Sequence, residues 1–243
     1  MRIIKLNAID STNSFLRQLS NEEPIQDYTV VTSQLQTKGR GQMGTQWKSE
    51  AGKNLVFSVF KDVSNINLQH HFYMSMIVSL AVFKALESYK IKNLKIKWPN
   101  DILAEQQKIS GILIENVIKY NQIQSSIIGI GININQVKFE DLPKATSMQL
   151  ISGVSFNNDE VLHQVLQFLK FYFGLLKQNK LEAIKEEYES YLFRKEKPST
   201  FKDQSNHIFT GYIKGITNSG NLRILIEDSI VREFDLKEIT LVY

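Results

Sequence analysis

The sequence has no cysteine anywhere in its 243 residues. That excludes a disulfide framework, a thiolate metal site and a cysteine nucleophile, and it fits a reducing compartment. Histidine is scarce and dispersed apart from His70-His71; that pair opens a helical pattern and reads as surface, not as a metal cluster. No uninterrupted apolar run approaches ~18 residues, so no membrane span is expected. The opening Met1-to-Asp10 segment lacks the apolar run and small-residue cleavage site of a secretory signal. These absences predict a cytoplasmic protein. Missing too are a phosphate loop of the Gly-Lys-Ser/Thr type, a serine–histidine–acid arrangement, internal repeats and low-complexity tracts.

What is present is an ordinary globular composition, with 42% hydrophobic and 22% charged residues. A chain of this length can build a core without a disulfide or metal staple. Net charge is +4, but the lysines are scattered among acids, as in Lys195-Glu196-Lys197. This reads as a solvated surface, not as a basic stripe for nucleic acid.

Along the chain, residues 2–9 read as a short edge strand. Asp10 to Asn13 then offer helix N-caps. Tyr28 to Leu35 is a β-branched strand, followed by a glycine-rich segment at 39–52 and an apolar strand from Asn54 to Phe60. Leu68 to Tyr89 has the pattern of a long amphipathic helix. Leu94, Ile96 and Trp98 alternate with Lys95 and Lys97 as a half-buried strand, stopped by Pro99. Ile109–Ile118 and Gln124–Asn135 read as paired strands turning at Tyr120-Asn121. Asp159–Gln178 and Leu181–Phe193 read as helices. The charged run Arg194 to Lys197, ending at Pro198, predicts a domain boundary, with residues 1–194 before it and 195–243 after it. The second part contains only short strands, at Phe201, Ile208–Ile216, Leu222–Glu227, Ile230–Phe234 and Ile239–Val242. These predict a small barrel, closed to hide its edges.

Three segments carry chemistry. Gly39-x-Gly41-x-x-Gly44 matches the dinucleotide fingerprint by letter, but no helix follows the last glycine, so the fingerprint fails on context. The remaining readings are a plain surface hairpin or a cationic loop. In the loop, Lys38 and Arg40 supply charge, the glycines let backbone N–H groups approach an anion, and Trp47 offers a stacking face. In Ile128 to Asn135, strand alternation puts isoleucines on one face and Gly129, Gly131, Asn133 and Asn135 on the other. Glycines weaken a strand unless something must approach its backbone. A flat ligand across Gly129 and Gly131 explains the pattern, and a packed helix or strand is the other explanation. In Lys97-Trp98-Pro99-Asn100-Asp101, the carboxylate of Asp101 can hold Mg²⁺. Lys108, seven positions on (108 − 101), can neutralise a carboxylate and a phosphate together; a plain salt bridge between the two is the alternative.

These segments together resemble the biotin–protein ligases. The resemblance rests on Ser11-Thr12-Asn13, Gln36-Thr37-Lys38-Gly39-Arg40-Gly41, Trp47, Lys97 to Asp101, Lys108-x-x-Gly111-Ile112-Leu113-x-Glu115 and Gly129-x-Gly131-x-Asn133. They follow in the family's order over about residues 10–135. The resemblance implies an α+β fold, with a mixed β-sheet and flanking helices plus a small C-terminal SH3-like β-barrel. It implies an enzyme that joins biotin to ATP with Mg²⁺ as biotinyl-5′-adenylate. Biotin then passes to one lysine of a biotin carboxyl carrier protein or domain of a carboxylase.

By resemblance, Ser11, Thr12, Asn13 and Gln36 read biotin, with Gly39, Arg40, Gly41, Gly111, Gly129 and Gly131 lining its pocket. Lys108 bridges the biotin carboxylate and the α-phosphate. Arg40, Gln42, Trp47, Asn100, Lys108 and Asn133 take ATP, Trp47 by stacking on adenine, and Asp101 takes the metal. Lys108, Arg40 and Asp101 are the expected catalytic set.

The chain departs from the family's arginine-rich loop at Gln42 and Thr45, which predicts weaker adenylate retention. It also begins directly at the catalytic part, without the winged helix of some members, which predicts no repressor role; with the scattered lysines and the lack of a long apolar run, no nucleic-acid or membrane partner is expected. A monomer and a homodimer through the edge strand both stay open. The rival readings are a lipoate–protein ligase-like acyl ligase and a non-catalytic biotin sensor; the retained Lys108 and Asp101 favour catalysis over a sensor.

Overall fold

The computed structural model describes residues 2–64, 71–119, 122–140 and 142–242. Its larger part is a seven-stranded mixed sheet in the order β1-β2-β3-β7-β6-β5-β4. The edge strand β1 (Ile3–Ile9) lies parallel to β2 (Val30–Gln36), and a parallel pair needs a crossover. Helix α1 (Thr12–Glu22) provides it. Of the N-cap candidates, Ser11 takes the role: its backbone is extended and its side chain accepts from the Ser14 amide. All other neighbours in this sheet are antiparallel: β3 (Leu55–Asp62), β4 (Leu94–Lys97), β5 (Asp101–Ala104), β6 (Gln107–Lys119) and β7 (Gln122–Ile132).

The two faces of the sheet have different cores. On one, Leu16 of α1 packs with Val31 and Ile127. On the other, Ile128, Ile130 and Ile132 of β7 meet helices α2 (His71–Ser88), α4 (Asn158–Lys177) and α5 (Leu181–Ser190); a short α3 (Met148–Ser152) precedes them. The expected isoleucine face is therefore core, and the glycine face of β7 looks toward α1.

Helix α2 differs from expectation. Apolar residues on nearly every side are buried, including Met76, Ile77, Leu80, Ala81 and Leu86. A helix that is apolar all round is a central element, and α2 has the sheet on one flank and α4 and α5 on the other. The expected start at Leu68, His70 of the histidine pair and the Tyr120-Asn121 turn lie outside the described residues. Helix α5 ends at Ser190, earlier than expected, because the Tyr191 carbonyl and the Phe193 amide turn to bond with Ile96 of β4, a parallel bridge centred on Leu192.

The C-terminal part is a five-stranded antiparallel SH3-like sheet, β11-β10-β9-β8-β12. Its strands are β8 (Pro198–Asp203), β9 (Ile208–Ile216), β10 (Leu222–Leu225), β11 (Val231–Phe234) and β12 (Ile239–Val242). Full closure is not seen: among the described residues β11 and β12 pair on one side only and remain edges. The sheet docks on the larger part through the Trp98 indole, whose N–H donates to the Gly220 carbonyl at 2.9 Å. Among the described residues no helix is long and apolar enough to cross a membrane.

Candidate active site

A cavity of about 270 Å³ opens on the α1 face of the sheet, between β7, β6, the start of α1 and the loop after β2. Of the residues expected in the site, all line it except Gly39 and Asn133. Gly39 sits one layer behind, its carbonyl accepting from the Trp47 amide at 3.0 Å. Asn133 lies beyond the end of β7 and is buried. Its amide donates to the Thr146 carbonyl at 2.9 Å, fixing the segment that leads into α3.

The inner end is polar and closely bonded. The Thr12 amide donates to Gln36 Oε1 at 2.7 Å, and the Thr12 hydroxyl oxygen lies 3.0 Å from the same atom. Ser58 on β3, fully buried, bonds to Thr12 Oγ1 at 2.7 Å and donates to Asn13 Oδ1 at 2.5 Å. Sequence reading passed over Ser58, although one hydroxyl inside the apolar run Leu55 to Phe60 is a visible signal, since a buried hydroxyl needs partners. These bonds orient a ring of donors and acceptors suited to a small polar group.

The floor is glycine. A Cβ on Gly129 would run into the Asn13 side chain, and one on Gly131 into the Trp47 indole. At Gly111 it would come within 3.0 Å of the same indole. The flat group resting on this strand is thus the protein's own Trp47. Its Nε1–H is buried with no hydrogen-bond partner among the described residues, a state that costs about 1–3 kcal/mol.

Loop 39–47 takes the hairpin form that its sequence allowed. Its backbone is a hairpin, with Gly41 donating to the Thr45 carbonyl, Arg40 bridged to Gln46, and a single 3-10 turn at Gln42–Gly44. The same hairpin swings Arg40, Gln42, Thr45 and Trp47 over the cavity. Arg40 is ion-paired with Glu115 at 2.7 Å.

The opposite end is charged. Lys108 Nζ lies 2.7 Å from Asp101 Oδ1 and 5.7 Å from the Trp47 ring centre. A β5–β6 register that pairs Asp101 with Gly111 brings this corner to the floor. Lys97 pairs with Asp101 across β4–β5. Burial pushes the Lys97 ammonium down from its usual range, with Lys108 adding to that and Asp101 opposing it. Two ammonium groups beside one carboxylate in a half-buried corner attract a further anion. The Asn100 side chain donates to the Ile112 carbonyl at 2.7 Å, which pins the turn that presents Asp101. Leu236, in the turn between β11 and β12, closes one wall; nothing in the sequence pattern places it there.

Residues 6–133 match the family model described as the biotin/lipoate A/B protein ligase family. The bifunctional ligase/repressor BirA of Bacillus spizizenii is 33% identical over 169 residues, 68% of this chain and 51% of that protein. A biotin–[acetyl-CoA-carboxylase] ligase of Mycobacterium tuberculosis is 28% identical over 66% of the chain and 59% of its own length. The chain thus spans about half the length of such curated relatives. The biotin protein ligase of Aquifex aeolicus, solved with biotin and ATP, superposes with a TM-score of 0.83 at 28% identity, covering 99% of this chain and 98% of that one. The match covers more than half the chain, including the glycine floor, the loop and the Lys108–Asp101 corner, and the chain belongs to the biotin/lipoate A/B protein ligase family.

Proposed function

We propose that the chain is an ATP-dependent biotin–protein ligase acting on a lysine of a biotin carboxyl carrier domain. The observation that carries this reading is the Lys108–Asp101 pair at the charged end of a glycine-floored cavity whose other end is polar. Likeness to a ligase solved with biotin and ATP supports it. Biotin enters with its ureido ring at Thr12, Gln36 and Ser11, and its carboxylate toward Lys108. A carboxylate oxygen attacks the α-phosphorus of ATP, the bond to the bridging oxygen breaks, and pyrophosphate leaves. Lys108 neutralises the negative charge shared by the carboxylate and α-phosphate, a donor already in place when charge develops. The acceptor amine then attacks the acyl carbon, the acyl–oxygen bond to AMP breaks, and the amine proton is lost to solvent as the amide forms.

Trp47 now covers Gly131 and Gly111, so it moves aside when a ligand lies there. Its orphaned indole N–H makes that move inexpensive, and the ring is then free to stack on adenine. The described residues hold no group of three or more histidines and carboxylates able to grip a metal. One carboxylate, Asp101, fits Mg²⁺ carried in on the ATP phosphates, the usual mode for that ion. Mg²⁺ would supply charge neutralisation there. We place the division between the catalytic part and the SH3-like part at 194/195.

Incubation of a carrier domain with ATP and labelled biotin, with labelled lipoate in parallel, tests the reading. Incorporation of biotin alone is expected. Lys108→Ala should lower adenylation about 10²–10³-fold with an unchanged circular dichroism spectrum; a near-normal rate would remove Lys108 from its role.

A further inference from the structure

One carboxylate on β6 joins the cavity floor to the loop above it. Glu115 is mostly buried, with a side chain 17% exposed. Its Oε2 accepts from Asn13 Nδ2 at 2.8 Å and from Arg40 NH2 at 2.7 Å. Its Oε1 lies 3.7 Å from Arg17 NH1 on α1. Asn13 rests on Gly129 and is tied through Ser58 to Thr12 and so to Gln36. A continuous hydrogen-bonded chain therefore runs from the polar end of the cavity to the arginine of the hairpin, and Glu115 is its last link.

We infer that Glu115 is a positioning residue that holds Arg40 at the cavity mouth, ready for the phosphate of the adenylate. The inference rests on the proposed ligase reading. A guanidinium carries five N–H donors in a planar fork. Glu115 takes one through NH2, so the fork is oriented while other donors stay available to an anion. The carboxylate end of the pair is shielded while the Arg40 side chain is exposed, so the pair is partly screened by solvent and keeps its strength mainly through its short geometry. Arg17 supplies a second positive charge, so the carboxylate stays compensated when Arg40 shifts toward a ligand. Asn13 asks only for an acceptor, whereas Arg40 asks for a charge. Asn13 and Arg40 share one oxygen, Oε2, so in glutamine that oxygen still accepts from both, but the negative charge that makes the bond to Arg40 a strong one is gone.

The test compares wild type, Glu115→Gln, Glu115→Asp, Arg40→Ala and the Glu115→Gln/Arg40→Ala double variant. Biotin affinity is measured by calorimetry and biotinyl-adenylate dissociation by stopped flow. In Glu115→Gln we expect biotin affinity within about twofold of wild type, and adenylate release about tenfold faster. Glu115→Asp should recover part of the difference. The double variant should release adenylate no faster than Arg40→Ala alone, because both changes remove one interaction. Wild-type release from Glu115→Gln, an equal loss of biotin affinity, or additive effects in the double variant would each overturn the assignment. The Arg40 Nε–H resonance in ligand-free protein gives a readout that needs no turnover. Its loss or broadening in Glu115→Gln is expected, and an unchanged resonance overturns the inference even if the ligase reading holds. Failure of the wild type to form adenylate would instead count against the ligase reading, while the resonance still decides the role of Glu115.

Discussion

A methyl group is the smallest change that can probe the floor of the cavity. In Gly131→Ala the new Cβ would occupy space now held by the Trp47 ring, and by extension space a ligand would use. Overpacking of this kind costs about 1–3 kcal/mol, so biotin or adenylate affinity should fall roughly tenfold while the fold survives. Calorimetry with biotin checks it; unchanged affinity would mean that no ligand lies on this strand. The loop offers the reverse experiment. Gln42 lines the cavity where the family's pattern has an arginine, and the nearest loop arginine, Arg40, is already paired with Glu115. Gln42→Arg adds an uncommitted cation and should slow adenylate release, and an identical off-rate in both proteins would sink the idea. At this scale most of the cavity lining was legible, because glycines inside a strand and a lysine close after a carboxylate are chemically odd enough to notice. Ser58 and the role of Glu115 were not, because a hydroxyl or carboxylate shows its purpose only through its partners.

Among the elements, α2 shows how sequence pattern can mislead. Its few polar positions, such as Lys84 and Glu87, give it an amphipathic look, yet both of its flanks are covered. Facing it, α5 buries Tyr188, whose ring meets Phe72 edge-on with centroids 6.4 Å apart. The Tyr188 hydroxyl has no hydrogen-bond partner among the described residues. A buried, unpaired hydroxyl is destabilising, so Tyr188→Phe should leave the melting temperature unchanged or raise it. A drop equivalent to more than roughly 1 kcal/mol would show that the hydroxyl is satisfied after all. Strands were easier to read than this helix. Their period of two survives burial of either face, and β4, β6 and β7 sit close to where alternation puts them.

For the whole molecule, buried tyrosines set the response to alkali. Burial, the largest cause, pushes the hydroxyls of Tyr28, Tyr172 and Tyr188 above their usual range, with Asp27, Glu187 and Glu189 adding to it respectively. The folded state keeps these protons where the unfolded chain loses them, near pH 10. Their contribution to stability is therefore complete below about pH 10 and declines as pH rises beyond it. Lys97 acts oppositely, since its lowered value makes the folded state less costly as it deprotonates, but it is one group against five tyrosines and Lys84, all of them raised. Thermal melts between about pH 9 and pH 11 should show a falling midpoint, less steep in Tyr188→Phe; a flat profile would count against the burial of these hydroxyls. The sequence alone determined the two-part architecture, the glycine face, the charged corner and the family, because periodicity, turn residues and ordered motifs are local properties of the chain. Only the tertiary structure decided that Trp47 rests on the glycines, that Leu236 closes a wall, that α2 is central, and that Asn13, Arg17 and Arg40 share one carboxylate. Those facts depend on residues up to hundreds of positions apart meeting in space, and burial and pairing are properties of that meeting, not of any one segment.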